Sequence, residues 1–314
     1  MKHEGFWLDA ADNSRLYVNA WIPVSGPKAV VMLAHGMAEH SGRYARLGAA
    51  LSAAGFALYA HDQRGHGRTA AHGVLGHYAN DDGWNKVVGD LASLSKAINL
   101  QHPGLPIFLL GHSMGSYVAQ SYLLQHSSTL QGAVLSSSNF QPVSLCRSAA
   151  LIARFERWRQ GATGRSALIE WLSFGAFNKA FKPARTPFDW LSRDAAEVDI
   201  YINDPMCGFR CTNQFWIDLL GGLEQISTPS ELEKIDHSLP LLIMGGECDP
   251  VSEGKRLRDL TDAFKGTGQQ SVTLNLYPGA RHEIFNETNR DEVTRDLLAW
   301  LEQALTEPRA RQAQ

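Results

Sequence analysis

Cysteine is scarce in this chain. There are four in 314 residues, at positions 146, 207, 211 and 248, too few and too irregularly placed for a disulfide framework, so a reducing compartment is the simpler expectation. Cys207 and Cys211 resemble half of a metal clip, yet the neighbouring sequence supplies no second Cys or His pair at zinc-ligand spacing. No metal or cofactor is expected. Also missing is any run of roughly 20 apolar residues able to span a bilayer, and Met1 to Leu16 carries acids where a secretory signal would be apolar. The expected location is therefore cytoplasmic. Charge of one sign is concentrated nowhere: 29 Lys and Arg stand against 32 Asp and Glu, a formal net charge of −3. Without a basic stripe, no nucleic-acid partner is expected. Low-complexity tracts and heptads are absent as well, and 44% hydrophobic residues with 28 Gly and 13 Pro describe a chain that folds on its own. No feature of the sequence specifies an oligomeric state.

What is present is alternation. Short β-branched, apolar runs bounded by turn residues recur at Lys28 to Ala34, Phe56 to His61, Leu105 to Leu110, Gln131 to Ser136, Pro240 to Gly245 and Ser271 to Tyr277. Phe6 to Asp9 and Arg15 to Ile22 read as a hairpin at one sheet edge. Helix-length segments separate most of these: Tyr44 to Ala54, Trp84 to Leu100, Met114 to Gln125, Glu253 to Phe264 and Asp291 to Ala304. The pattern predicts an α/β fold with a mostly parallel, eight-stranded sheet covered on both faces.

The alternation fails between 140 and 227, where helical segments rich in Trp and Phe (Cys146 to Trp158, Ser166 to Phe181, Thr212 to Leu223) replace buried strands. The expected division is a core of 1–139 and 228–314 with a helical cap of 140–227. An insertion of this kind sits over the carboxyl ends of the strands, where ligands bind. Trp158, Trp171, Phe174, Phe177 and Phe181 are expected to pack inward, because aromatic residues at helical spacing are mostly core. With Arg154, Arg157, Arg159 and Lys179 nearby, the rival expectation is a peripheral membrane contact. The polar tail Glu307 to Gln314 is expected to be disordered.

Gly111-His-Ser-Met-Gly115 follows an apolar strand and opens a helical pattern, the context of a nucleophile elbow. In so tight a turn the serine backbone is strained and only glycine fits two positions either side, which raises the Ser113 hydroxyl above a helix N-terminus. A serine hydroxyl needs a base. His282, just after the last strand in the turn of Pro278, Gly279 and Ala280, is the best placed histidine. His237 precedes its strand, His102 and His126 look like exposed helix ends, and His112 is expected to face away from the serine. The base needs a carboxylate to fix its tautomer, and Asp249 occupies the acid position in the chain order Ser, Asp, His. Glu247 is its competitor. After the strand ending at Ala34, His35-Gly36-Met37 lets the backbone approach substrate, so that the N–H groups of Met37 and Met114 form an oxyanion hole. Their two thioether side chains are expected to line an apolar pocket.

The stretches His35-Gly-Met-Ala-Glu-His-Ser-Gly-Arg-Tyr44, His61-Asp-Gln-Arg-Gly-His-Gly67, Gly111-His-Ser-Met-Gly115, Gly246-Glu-Cys-Asp-Pro250 and Gly279-Ala-Arg-His-Glu283 together resemble the monoacylglycerol lipase and lysophospholipase branch of the α/β-hydrolases. That resemblance covers nearly the whole core. It implies release of a single fatty acid from a small polar head, with an acyl tunnel under a helical cap. It also implies Met37 and Met114 as oxyanion donors, and Glu39 and Arg43 as polar groups near the glycerol end. A structural ion pair bracing the loop is the alternative for Glu39 and Arg43. Asp62, Arg64 and His66 are expected to form a structural knot. Cap residues Cys207 to Trp216 depart from the lipases compared. The substrate expected is a small-molecule acyl ester; an amidase, peptidase or thioesterase with the same triad is the alternative, and a non-catalytic binding protein on the same fold is the rival of another class.

Overall fold

The structure is a computed structural model describing residues 1–306; the tail from Glu307 to Gln314 lies outside the described residues. Its centre is one 8-stranded sheet in the order β1-β2-β4-β3-β5-β6-β7-β8. β1 (Lys2–Asp9) and β2 (Arg15–Ile22) form the edge hairpin, and β2 pairs antiparallel with β4 (Phe56–His61). From β4 onward every pairing is parallel, through β3 (Ala29–Ala34), β5 (Ile107–His112), β6 (Gly132–Ser136), β7 (Leu241–Gly246) and β8 (Val272–Tyr277). The central strands β3 to β7 are buried along their whole length. That is why their sequences read as continuous apolar runs and not as alternations.

Two apolar layers hold helices to the sheet. On one face, α1 (Ala45–Ala53) and α10 (Arg290–Thr306) bury Leu47, Leu51, Val293, Leu297 and Leu301. The spacing Val293, Leu297, Leu301 is one helical stripe, and each such side chain contributes about 1.5–3 kcal/mol when buried. On the other face, α2 (Gly83–Gln101), α3 (Met114–His126) and α9 (Lys255–Gly266) bury Val87, Leu91, Val118, Leu257 and Phe264.

Between β6 and β7 the chain leaves the sheet for α4 (Val143–Gln160), α5 (Ala167–Ser173), α6 (Ala195–Asn203), α7 (Asn213–Ile226) and the short α8 (Pro229–Leu232). The single helix expected from Ser166 to Phe181 is broken after Ser173, where Gly175 packs so closely that a Cβ would lie 2.5 Å from the Trp171 carbonyl oxygen. A short 3-10 turn, Phe177–Phe181, follows. Helix α6 was not expected. Its local signal is the Asp194 side chain, which accepts the Ala196 N–H and caps the helix, with Glu197 in the first turn.

The aromatic residues of this insertion divide. Phe174 and Phe177 pack with Trp190, but Trp158 is 80% exposed and Trp171 67% exposed, which corrects the expectation that all five pack inward. The segment after β4 is a knot as expected. Asp62 accepts from the Ser41 and Arg68 N–H groups, and Arg64 forks onto both Asp90 and Asp12. Burial pushes the Asp90 carboxyl up to about 6, against the pull of Arg64.

Candidate active site

Ser113 stands between β5 and α3 with φ 51° and ψ −122°, a positive-φ conformation costly for any side-chain residue. The flanking glycines permit it. A Cβ at Gly111 would meet the Gly115 carbonyl oxygen at 2.5 Å, and one at Gly115 would meet the Ala34 carbonyl oxygen at 2.1 Å. The turn thus fixes the Ser113 hydroxyl at the carboxyl ends of β3 and β5, where the sheet delivers its loops.

The β8 turn and the loop after β7 converge on that hydroxyl. Ser113 Oγ is 2.8 Å from His282 Nε2, and His282 Nδ1 lies 3.0 Å from each Asp249 carboxylate oxygen. Nδ1 therefore carries the proton and Nε2 is left to accept from the serine. Asp249 is itself fixed, accepting the Val251 N–H at 2.9 Å and the Ser252 hydroxyl at 3.2 Å. Burial by itself depresses the His282 pKa, but the Asp249 charge and its hydrogen bond outweigh it, so the imidazole is raised above its ordinary value. Asp249 is buried, whereas its competitor Glu247 is exposed and takes no part. The two residues that follow β8's turn are anchored to the insertion, Glu283 N–H donating to the Leu191 carbonyl at 2.7 Å.

Met37 and Met114 flank the serine with backbone N–H groups that find no acceptor among the described residues: Met114 opens α3, and Met37 sits in the turn after β3. Gly36 brings that turn close, since a Cβ there would stand 3.4 Å from Ser113 Cβ. The side chains do not both line a pocket. Met37 does, but Met114 is buried at 1% exposure with Tyr78 donating its hydroxyl to the sulfur at 2.9 Å, so α3 turns it into the core.

Three expectations about histidines need correction. His112 does not face away: its ring centre is 5.2 Å from that of His282, and its Nδ1 meets Ser136 Oγ at 3.2 Å. Burial lowers its pKa to about 4, so it is a neutral neighbour. His102 and His126 are half-buried, one against the Tyr59 hydroxyl at 2.8 Å and the other tilted against the Tyr122 ring, centre to centre 4.6 Å.

Glu39 and Arg43 form the structural ion pair. Arg43 donates to Glu39 at 2.8 Å and forks onto Glu283 at 2.6 and 2.7 Å, while Glu39 also accepts from the Gly36 N–H at 2.5 Å and the Tyr44 hydroxyl at 2.8 Å. Burial pushes Glu39 up, yet the Arg43 charge wins and holds it below the usual carboxylate range. Glu39 reaches the pocket wall and Arg43 does not, so Arg43 is not presented to a ligand.

The pocket over Ser113 has a volume of about 430 Å³ and mixes Met37, Phe174, Phe188, Trp190 and Leu191 with the charged Glu170 and Arg210. Beside it, His40, Asp204 and Cys207 come together, a grouping no local spacing announces. It is a clamp and not a metal centre: the Gly42 N–H donates to His40 Nδ1 at 3.2 Å, so the ring proton sits on Nε2, 2.9 Å from Asp204. A ligating imidazole needs that nitrogen free. Burial pushes the Cys207 thiol up.

An eight-stranded, mostly parallel sheet with a serine on a strained elbow and a histidine–carboxylate pair beside it defines a serine hydrolase of the α/β-hydrolase fold. Residues 25–289 match the family described as serine aminopeptidase, S33. The chain belongs to this family, in the branch that holds the monoglyceride lipases. It is 29% identical over 93% of its length to the monoglyceride lipase of Homo sapiens, of which 88% is covered. It is also 29% identical to the monoacylglycerol lipase of Mycolicibacterium smegmatis, over 91% of this chain and 92% of that one. Among solved structures, a highly thermostable carboxyl esterase from Bacillus coagulans in complex with glycerol matches with a TM-score of 0.90 at 26% identity, covering 98% of this chain and 100% of the other.

Proposed function

We propose that this enzyme hydrolyses carboxylic esters by acyl transfer, releasing a fatty acid from monoacylglycerol or a lysophospholipid-like ester. The observation that carries this reading is the 2.8 Å approach of Ser113 Oγ to His282 Nε2. In the first step Ser113 Oγ attacks the ester carbonyl as His282 takes its proton, and the oxyanion is held by the Met37 and Met114 N–H groups. His282 then gives the proton to the leaving alcohol. Water, deprotonated in turn by His282, attacks the acyl-enzyme and frees the acid. Asp249 keeps the imidazole in the required tautomer. Residues 140–227 act as the cap whose apolar wall receives the acyl chain, which the mix of aromatic residues around Ser113 supports. Four unpaired cysteines suit a reducing, cytoplasmic setting.

Purified enzyme offered monoacylglycerols, lysophospholipids, acyl thioesters and amino-acid amides separates this reading from its alternatives. The expected result is fastest turnover of the single-chain esters, measured by chromatography of the released acid. Faster cleavage of amides or thioesters would reject it.

The cap also serves as the membrane-facing surface that collects such substrates. Along α4, Leu151, Phe155 and Trp158 are 64%, 54% and 80% exposed, with Arg154 and Arg157 on the same helix. No described helix is long and apolar enough to cross a bilayer, so the contact is peripheral. Replacing Leu151, Phe155 and Trp158 together by serine is expected to weaken co-sedimentation with anionic vesicles by roughly a hundredfold or more, each side chain being worth about 1.5–3 kcal/mol when buried. Turnover of a soluble short-chain ester should be unaffected. Equal sedimentation of variant and parent would remove the membrane role.

A further inference from the structure

Asp249 is not the only negative charge arranged about the base. Glu283 follows His282 directly and lies in the pocket wall with it. Its carboxylate takes both arms of the Arg43 guanidinium at 2.6 and 2.7 Å, and the same guanidinium takes Glu39 at 2.8 Å. All three side chains are 7% exposed or less. Two carboxylates thus share one guanidinium, leaving one negative charge in excess in a water-poor setting that screens it less than bulk water does. Glu39 holds the Gly36 N–H at the start of the oxyanion turn, and the Arg43 guanidinium lies 4.9 Å from the Tyr201 ring of α6. The chain of charges therefore connects the oxyanion turn, the base loop and the cap.

We infer that Glu283, held by Arg43 and paired with Glu39, is a positioning residue for His282 that supplies a second negative charge stabilising the imidazolium formed during catalysis. The other groups facing His282 do not supply that charge. From the elbow comes His112, neutral and 5.2 Å away ring to ring. From the insertion comes Trp190, 5.0 Å away. On the same loop the Arg281 guanidinium is drawn off over Phe181 at 4.2 Å, and Glu287 is matched by Arg193 at 2.9 Å. Asp249 from the β7 loop supplies the first charge, directly bonded to Nδ1. The direction of the His282 shift agrees, with Glu283 and Glu39 both raising it behind Asp249.

The inference rests on the serine–histidine reading, and two measurements keep the two apart. Labelling of wild-type Ser113 by a fluorophosphonate tests the reading. The pH profile of kcat/KM for a soluble acyl ester tests the inference, since its acid limb reports the base in the free enzyme. Removing a negative charge disfavours the imidazolium, so in Glu283→Gln the acid limb is expected at lower pH, with kcat at neutral pH lowered because a less basic imidazole is a weaker general base, and KM little changed. Glu283→Asp keeps the charge and should keep the limb where the wild type has it, whatever its rate. If Glu283→Gln does not fold, Glu39→Gln is expected to shift the limb in the same direction. Labelled Ser113 with an unmoved limb in the folded neutral variant overturns the inference alone; unlabelled Ser113 overturns the reading and the inference with it.

Discussion

Ser113→Ala is expected to reduce kcat/KM on a p-nitrophenyl acyl ester by roughly 10⁴- to 10⁶-fold, the range of nucleophile removal in serine hydrolases. The fold should survive. The serine's φ of 51° is no harder for alanine to adopt, and the side chain gives up one hydrogen bond, to His282. A residual rate above the uncatalysed reaction should persist, because the Met37 and Met114 N–H groups and the pocket are untouched. Steady-state kinetics beside a thermal melt checks both halves. Turnover within about tenfold of wild type, a barrier difference of only about 1.4 kcal/mol, would mean that the chemistry lies elsewhere.

Asp249→Asn should be nearly as damaging, on the order of 10⁴-fold in kcat, although it alters a residue that never touches substrate. Each Asp249 oxygen faces His282 Nδ1 at 3.0 Å, so an amide there offers N–H donors toward a ring nitrogen that now donates. The imidazole then gains by moving its proton to Nε2, where it can no longer accept from Ser113. The charge is lost as well. Burial depresses the His282 pKa and Asp249 more than restores it, so in Asp249→Asn the pKa falls and the acid limb of the rate profile moves to lower pH while its plateau collapses. A full pH profile of kcat reads both effects. A plateau within an order of magnitude of wild type would assign the orienting role to another group; the side chain of Glu247, exposed on the same loop, makes no bond to His282 among the described residues.

These predictions and the Glu283→Gln experiment probe one quantity from three sides. The nucleophile needs a base that is neutral at rest and stable when charged, and the buried site provides that stability through fixed carboxylates in place of water. Asp249 acts through a hydrogen bond, Glu283 through an ion-pair chain that also reaches the oxyanion turn. The larger effect is expected at Asp249, whose carboxylate would set both charge and tautomer.

Much of this was legible in the order of residues. Buried parallel strands need apolar runs, helices between them need one apolar stripe, and both are short-range patterns, so the buried strands β3 to β7, the edge strand β8 and the core helices emerge within a residue or two. The elbow was legible for a stricter reason: only glycine tolerates the contacts at 111 and 115, where a Cβ would come within 2.5 and 2.1 Å of a carbonyl oxygen. The chain order Ser113, Asp249, His282 then follows from which strand each residue ends.

Tertiary structure decided the rest. Arg43 and Glu283 are 240 positions apart and His40 and Asp204 are 164 apart, and no local pattern selects such pairs from the other charged residues of the chain. The same holds for burial in the insertion. Aromatic spacing that fits a core stripe left Trp158 in solvent and took Phe174 inward, because whether a helical face is covered depends on what the sheet places opposite it. The short-range forces that write strands, helices and the strained turn act between neighbours in the chain; the charges around His282 are set by neighbours in space.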